Sequence, residues 1–348
     1  MLDLQNSLYK QGEKHLSAFG MMNCLKPLKN DGEHDWLYEV SSLSLQVICQ
    51  DLDQAYRRFF GKQAKYPKFK SRKRSRPSYP LRSDGIYFLD ERVAKIAKLG
   101  KVKYKTDFTL PYGRDAKFTN PRITYANGKW MLSFGMECEN QVPQLKDESM
   151  GIDLGVKEQA VAAFGDEQLV FHNINKSKRV RELTCKLKHT QRSLARKYQA
   201  SKKTNGKFVK SNNYVKEQGK LRRIYQRIAN VRNNYIHQTT HQLVSMLPYR
   251  VVMEDLNVRG MMKNRHLARS IQEQNLCEFN RQMHYKCEWS GIEFVEADRF
   301  YPSSKTCSCC GEIKTDLKLK DRVYKCSNCG NEIDRDFNAA LNLSRYVA

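Results

Sequence analysis

The 348-residue chain carries 62 Lys and Arg against 37 Asp and Glu, a formal charge of +25, and 40% of its residues are hydrophobic. That apolar content supports a sizeable core and two or three domains and excludes a disordered chain, while the charge points to a polyanion, nucleic acid first, as partner. No apolar run approaches the roughly 20 residues that cross a bilayer, and Met1 to Leu25 lacks the apolar core of a signal peptide, so the expected location is cytoplasmic.

Between Ser44 and Phe60, Leu45, Ile48, Leu52 and Phe59 recur at helical spacing, so the first sixty residues read as helical. Gly61 to Arg82 then holds nine Lys or Arg and no acid, with Tyr66, Phe69 and Tyr79 interleaved and prolines that prevent a helix. This run is either a solvated linker or a strip that follows a phosphate backbone while its rings stack on bases. Its candidate contacts are Lys68, Lys70, Arg72, Lys73, Arg74 and Arg76. Short β-type runs follow, "GIYFL", "RVAKIAKLGKVKYK", and "RITYA" joined to "KWMLSFGME" through Asn127-Gly128, a dipeptide that accepts positive φ at both turn centres. They predict a small β-barrel or sheet.

From Met150, "MGIDLGV", "QAVAAF" and "QLVFHN" read as consecutive strands, the first apolar enough to be central. A helical interruption then carries nineteen Lys or Arg and two acids between Asn175 and Leu247. One apolar seam runs through Val180, Leu183, Leu187 and Leu194, another through Leu221, Ile224, Ile228, Val231 and Tyr235, with a polar loop between them. An antiparallel helical hairpin results, either a plain strut or a strut that also touches nucleic acid; Lys178, Arg179, Arg222 and Arg223 are its candidate contacts. "YRVVMEDL" is a further buried strand, a helix with Leu276, Phe279 and Met283 ends before Gly291, and "IEFVEAD" is another strand. The β and α alternation indicates a mixed α/β domain.

Cys307, Cys310, Cys326 and Cys329 form two C-x2-C pairs, each followed by a glycine, the pattern that brings four thiolates to one tetrahedral Zn(II). Four thiolates leave no open position, so the ion is structural, and Cys309 is a spare thiol. Disulfides are disfavoured in a cytosolic basic protein. Three acids stand out by position: Asp153 within the first strand, Glu254 at the end of "RVVME", and Asp336 at the start of the last helix. Each has a bland alternative as a strand-closing residue, half of an exposed acidic pair, or a residue favoured by the helix dipole. Together they can converge into an acidic cluster that holds two Mg(II) or Mn(II) ions for phosphodiester hydrolysis.

"GIDLGVK", "VVMEDLNVRGM", "RFYPSSKTCSCCG" and "YKCSNCGNEIDRDFNAALNL", in that order, resemble the TnpB (OrfB) proteins of insertion sequences, RNA-guided nucleases similar to the type V CRISPR effectors. The resemblance implies a multidomain α+β chain. Residues 1–65 would form a helical recognition segment, 66–145 a basic linker and wedge-like β-barrel, and 146–300 an RNase H-like (RuvC) core with the hairpin at 175–247. Residues 301–332 would be a zinc ribbon and 333–348 the C-terminal RuvC helix. It further implies Asp153, Glu254 and Asp336 as the catalytic, metal-binding triad, Asp334 as the helix cap, and a guide RNA from the element's flanking transcript and double-stranded DNA as partners. The family's leading barrel strand and Tyr-Asn helix are not found, so a shortened N-terminus is expected. The expected activity is a divalent-metal-dependent, RNA-guided DNA endonuclease, for which the label transposase is plausible. The alternatives are a catalytically silent guided DNA-binding regulator and a truncated transposase-associated DNA-binding protein.

Overall fold

The computed structural model describes residues 1–71, 75–110, 118–126, 128–137, 142–318 and 321–347. The chain divides into two compact units, Met1–Glu139 and Asn140–Ala348.

The first unit begins with helices α1 (Leu2–Lys10), α2 (Ala18–Lys29) and α3 (Ser42–Phe60). The Ser17 hydroxyl caps α2 by accepting from the Gly20 N–H, satisfying a donor that no helical carbonyl can reach. On α3 the buried stripe is Leu45, Cys49, Asp53 and Tyr56, whereas Ile48, expected to be buried, is 48% exposed. The stripe is displaced because polar residues are buried with partners. Asp53 lies 3.0 Å from His15 Nε2 and 2.9 Å from Arg57 Nε, and the Tyr56 hydroxyl donates to Asn6 at 3.0 Å.

Strands β1 (Ser78–Pro80), β2 (Ile86–Phe88), β3 (Val93–Ile96), β4 (Gly100–Lys103), β5 (Phe118–Ala126) and β6 (Lys129–Met136) complete this unit. They form two three-stranded antiparallel sheets, β1-β5-β6 and β2-β3-β4, which share a core of Leu81, Ile86, Phe88, Ala94, Ile96 and Phe118. The expected barrel is therefore corrected: among the described residues no ladder joins the two sheets, and there is no closed barrel. Strands of three or four residues in β2 to β4 offer too few ladder positions to wrap around and close. Asn127 lies outside the described residues; Gly128 takes φ +85° beside the Ala126–Lys129 pairing of β5 and β6.

The second unit contains β7 (Lys146–Leu154), β8 (Glu158–Phe164), β9 (Glu167–His172), α4 (Lys178–Asn205), α5 (Asn212–Ser245) and β10 (Pro248–Glu254). Then follow α6 (Val258–Met261), α7 (Ala268–Gln274), α8 (Leu276–Ser290), β11 (Glu293–Ala297), β12 (Val323–Lys325), β13 (Glu332–Asp334) and α9 (Arg335–Ser344). Its main sheet has the order β11-β10-β7-β8-β9, in which the β7–β8 and β8–β9 pairs are antiparallel and β10 and β11 run parallel to β7. Three meandering strands flanked by two parallel ones are the RNase H-like arrangement, with α4 and α5 inserted as a hairpin between β9 and β10.

Strand alternation sorts the residues of this sheet between two helical layers. On one face Met150, Ile152, Val251 and Met253 pack with Ile236 and Leu243 of α5 and Phe279 and Met283 of α8. On the other, Val161 and Ala163 pack with Ala340 and Leu341 of α9, and Val252 with Leu343. Gly151 permits this second layer. A Cβ placed there would lie 2.0 Å from the Ala340 carbonyl oxygen and 2.3 Å from the Ser344 nitrogen, so α9 rests directly on the backbone of β7.

Candidate active site and metal centre

Asp153 is two residues beyond Gly151 and therefore on the α9 face of β7. Met253 pairs with Ile152 across the parallel β10–β7 ladder, which brings Glu254 beside Asp153 on the same face. Asp336 precedes Ala340 by about one helical turn, roughly 6 Å of axial rise, and Asp153 is about 6.6 Å along the strand from Gly151. With Ala340 seated on Gly151, these two displacements are commensurate. The charges confirm that they run the same way. Loss of hydration, and then the negative charges of Glu254, Asp336 and Asp334, push the Asp153 carboxyl well above the usual carboxylate range, while the Arg335 guanidinium draws it partly back. All three acids are half-buried.

Each acid is held by local structure. The Asp334 carboxylate accepts the N–H groups of Asp336 at 3.0 Å and Phe337 at 3.1 Å, so capping falls to Asp334 and not to Asp336. Ser303, 2% exposed, donates its hydroxyl to Glu254. Asp255 pairs with Arg299, whose strand-end neighbour Ala297 lies opposite Glu254.

The cysteines form the second constellation. The Sγ atoms of Cys307, Cys310, Cys326 and Cys329 all lie within 4.8 Å of one another, and Cys309 is exposed outside the set. Gly311 at φ +78° and Gly330 at +74° close the two turns, where the Gly311 N–H donates to the Cys307 carbonyl at 2.9 Å and Gly330 to Cys326 at 3.2 Å. Side chains rarely adopt such angles, which explains a glycine after each pair. Although burial alone would raise it, N–H groups of Cys310 and Cys309 bring the Cys307 thiol down to about 6. Cys329, despite an N–H from Asn331, is pushed up to about 12 by burial and the neighbouring sulfurs. Four thiols that compete for one region of N–H groups suit a shared cation that lets all of them ionise. Among the described residues this is the only set of three or more His, Cys, Asp or Glu whose ligand atoms come so close.

The two constellations are joined. Strands β12 and β13 pair from Val323–Asp334 to Lys325–Glu332, and Asp334 is also the cap of α9, so the ribbon runs without a linker into the helix bearing Asp336. Asn338, fully buried, accepts the Ser308 N–H at 2.9 Å and donates to the Thr306 carbonyl at 2.7 Å. Asn342 donates to Ser303 and Thr306 at 2.7 Å. Sequence reasoning missed Ser303, Asn338 and Asn342. The signal available was the pair of asparagines at i, i+4 in an otherwise apolar helix, where polar side chains need buried partners.

The expected nucleic-acid contacts fall in both units. Lys68, Lys70 and Arg76 are exposed in the first unit, and Lys178, Arg179, Arg222 and Arg223 are exposed on the hairpin; Arg72, Lys73 and Arg74 lie outside the described residues. Of the three interleaved aromatics, only Phe69 is largely exposed, at 66%. Tyr66 bonds to Asn6 at 2.8 Å and packs on Tyr9, Tyr56 and Phe59, and Tyr79 packs against the two-sheet core. Between α4 and α5 lies a groove of about 820 Å³, lined by Arg179, Lys186, Arg227, Asn230, Asn234 and Gln238 among others. Among the described residues no helix is long and apolar enough to cross a membrane.

The profile of the family described as "Probable transposase" matches residues 133–265, and that of "Cas12f1-like, TNB domain" matches 277–343. A "Putative RNA-guided DNA endonuclease" of Streptomyces pristinaespiralis is 32% identical over 95% of this chain and 78% of its own length. A "Putative RNA-guided DNA endonuclease InsQ" of Escherichia coli K12 is 31% identical over 97% of this chain and 83% of its own. The chain belongs to the TnpB (OrfB) family. The resemblance carried by the four motifs is thus borne out over nearly the whole chain and not only at its carboxyl end. The "CRISPR-associated endodeoxyribonuclease Cas12f1" of Sulfoacidibacillus thermotolerans is 27% identical over 62% of this chain and 50% of its own. A solved "CRISPR-Cas12f Ternary Complex" covers 99% of this chain and 77% of its own at a TM-score of 0.44 and 14% identity.

Proposed function

We propose that this chain is an RNA-guided DNA endonuclease encoded by a mobile element, with Asp153, Glu254 and Asp336 as its catalytic acids. The supporting observation is the packing of α9 on Gly151, which sets the helix start bearing Asp336 against the strand ends bearing Asp153 and Glu254. An acidic cluster that raises its central carboxyl so far is only partly compensated by Arg335, and bound cations would supply the missing positive charge. Mg(II) or Mn(II) bound there would supply an activated water and stabilise the leaving oxygen of a phosphodiester. Asp153, on which both other acids act, is the shared ligand; Ser303 fixes Glu254, and Asp334 frees Asp336 from capping.

The cysteine tetrad holds a structural Zn(II), whose role is to fix the start of α9. Guide RNA from the element's own flanking transcript and its duplex with target DNA lie along the exposed cations, including Lys68, Lys70, Arg76, Lys178, Arg179, Arg222 and Arg223. The protein works in the cytoplasm. Asp153→Ala, Glu254→Ala and Asp336→Ala are each expected to abolish programmed cutting and to leave RNA retention after a high-salt wash unchanged. Cutting at the normal rate by all three would overturn the assignment.

A further inference from the structure

The β7–β8 connection starts at Gly155, two residues beyond Asp153, and its carbonyls have few ladder partners. Half-buried carbonyls of this kind call for donors from elsewhere. The donor is Gln274, 1% exposed at the end of α7. Its Nε2 lies 3.0 Å from the Val156 carbonyl oxygen, 3.2 Å from that of Gly155 and 3.5 Å from that of Glu158. Its Oε1 accepts from Asn175 Nδ2 at 3.4 Å, and its own carbonyl accepts from the buried Gln159 amide at 3.0 Å. Asn173 adds a second donor to Val156 at 2.8 Å. Asn175 in turn donates to the Glu273 carbonyl at 3.0 Å and accepts from Arg232 Nε of α5 at 2.7 Å.

Only an amide fits this position. The nitrogen's two hydrogens face three carbonyls, Val156 and Gly155 the nearest, and the oxygen meets a donor, whereas a carboxylate would set negative charge against those carbonyls. The segment that leaves Glu254 through α6 and α7 is thereby stitched to the segment that leaves Asp153, at the root of the hairpin. We propose that Gln274 is a positioning residue for the acid site: it fixes the turn that sets the end of β7, and through it Asp153, for cation binding. This rests on the reading of Asp153 given above.

The test is Gln274→Met, which keeps length and removes both the donor and the acceptor. In the full chain with its bound RNA, kcat for cutting is expected to fall roughly 10- to 100-fold, the scale seen when a residue behind a metal ligand is lost. KM for DNA should stay within about twofold. Independently of cutting, the Mn(II) concentration that gives half of the cation-induced rise in melting temperature should increase about tenfold or more, and excess Mn(II) should restore part of the rate. A merely structural role would lower the melting temperature and leave the Mn(II) midpoint in place. A wild-type midpoint in folded Gln274→Met overturns the proposal. If that variant does not fold, Asn173→Ala, which takes one donor from Val156, must shift the midpoint in the same direction, and an unchanged midpoint overturns the proposal equally. Asp153→Asn separates the two failures. If it keeps both cutting and the Mn(II) response, the acid-site reading fails; if it loses both while Gln274→Met is normal, only the role of Gln274 fails.

Discussion

Gly151→Ala tests the contact that builds the site. The added methyl would sit 2.0 Å from the Ala340 oxygen, 2.3 Å from the Ser344 nitrogen and 2.9 Å from the Leu343 carbonyl carbon, all backbone atoms that no rotamer change can move. To reach the 3.4 Å at which ordinary contact begins, α9 must retreat by roughly 1.4 Å. Overpacking of this kind costs about 1–3 kcal/mol, and a displacement of about 1 Å at reacting groups costs on the order of 100-fold in rate. Denaturant unfolding should therefore show a loss of about 1–3 kcal/mol, and single-turnover cutting should fall at least about tenfold with RNA retention unchanged. Gly219→Ala is the control for the substitution itself, since nothing lies within 4 Å of its added methyl. Wild-type stability and rate for Gly151→Ala would refute the seating of α9 on β7.

Asp153→Asn should stabilise the metal-free protein at pH 7. A carboxyl raised above its unfolded value of 3.8 is harder to ionise in the folded state than in the unfolded one, so wild-type stability falls as pH climbs from that value through the folded one, and the variant should lack this decline in melting temperature. Added Mg(II) should raise the melting temperature of the wild type more than that of the variant. Asn338→Ala leaves the Ser308 N–H without its partner, at about 1–3 kcal/mol for the orphaned group, and takes one of two side-chain donors from the Thr306 carbonyl, which keeps Asn342; hydrogen exchange should accelerate at the first cysteine pair, and unchanged exchange would refute the tie. Gly219→Ala, inside α5 with nothing within 4 Å of the new methyl, should stabilise the chain by about 0.5–1 kcal/mol in thermal unfolding.

Much of the second unit was legible because local rules and global fold agree there. "MGIDL" alternates three apolar residues with a glycine and an acid, which is already a strand with different faces, and Gly291 stops α8 at φ +70°. The cysteine spacing shows two turns that share one site, since each turn needs only its own few residues. The first unit was less legible. A stripe of Leu45, Ile48, Leu52 and Phe59 is what helical periodicity favours, but His15 and Asn6, far away in sequence, together with Arg57 one turn along the same helix, make it cheaper to bury Asp53 and Tyr56. The short strands of residues 78–136 show alternation but not closure, because closure depends on which edges meet.

The sequence by itself determined the family, the charge that selects a polyanion, the four sulfurs and the three acids as candidates, since these follow from residue type and spacing along one chain. Only the tertiary structure decided that Gly151 is the seat of α9, that Asn338 and Asn342 bind the ribbon to that helix, and that Ser303 and Gln274 support the surroundings of the acids. Those roles depend on hydrogen bonds and contacts between residues tens to hundreds of positions apart, and no local pattern records such a distance.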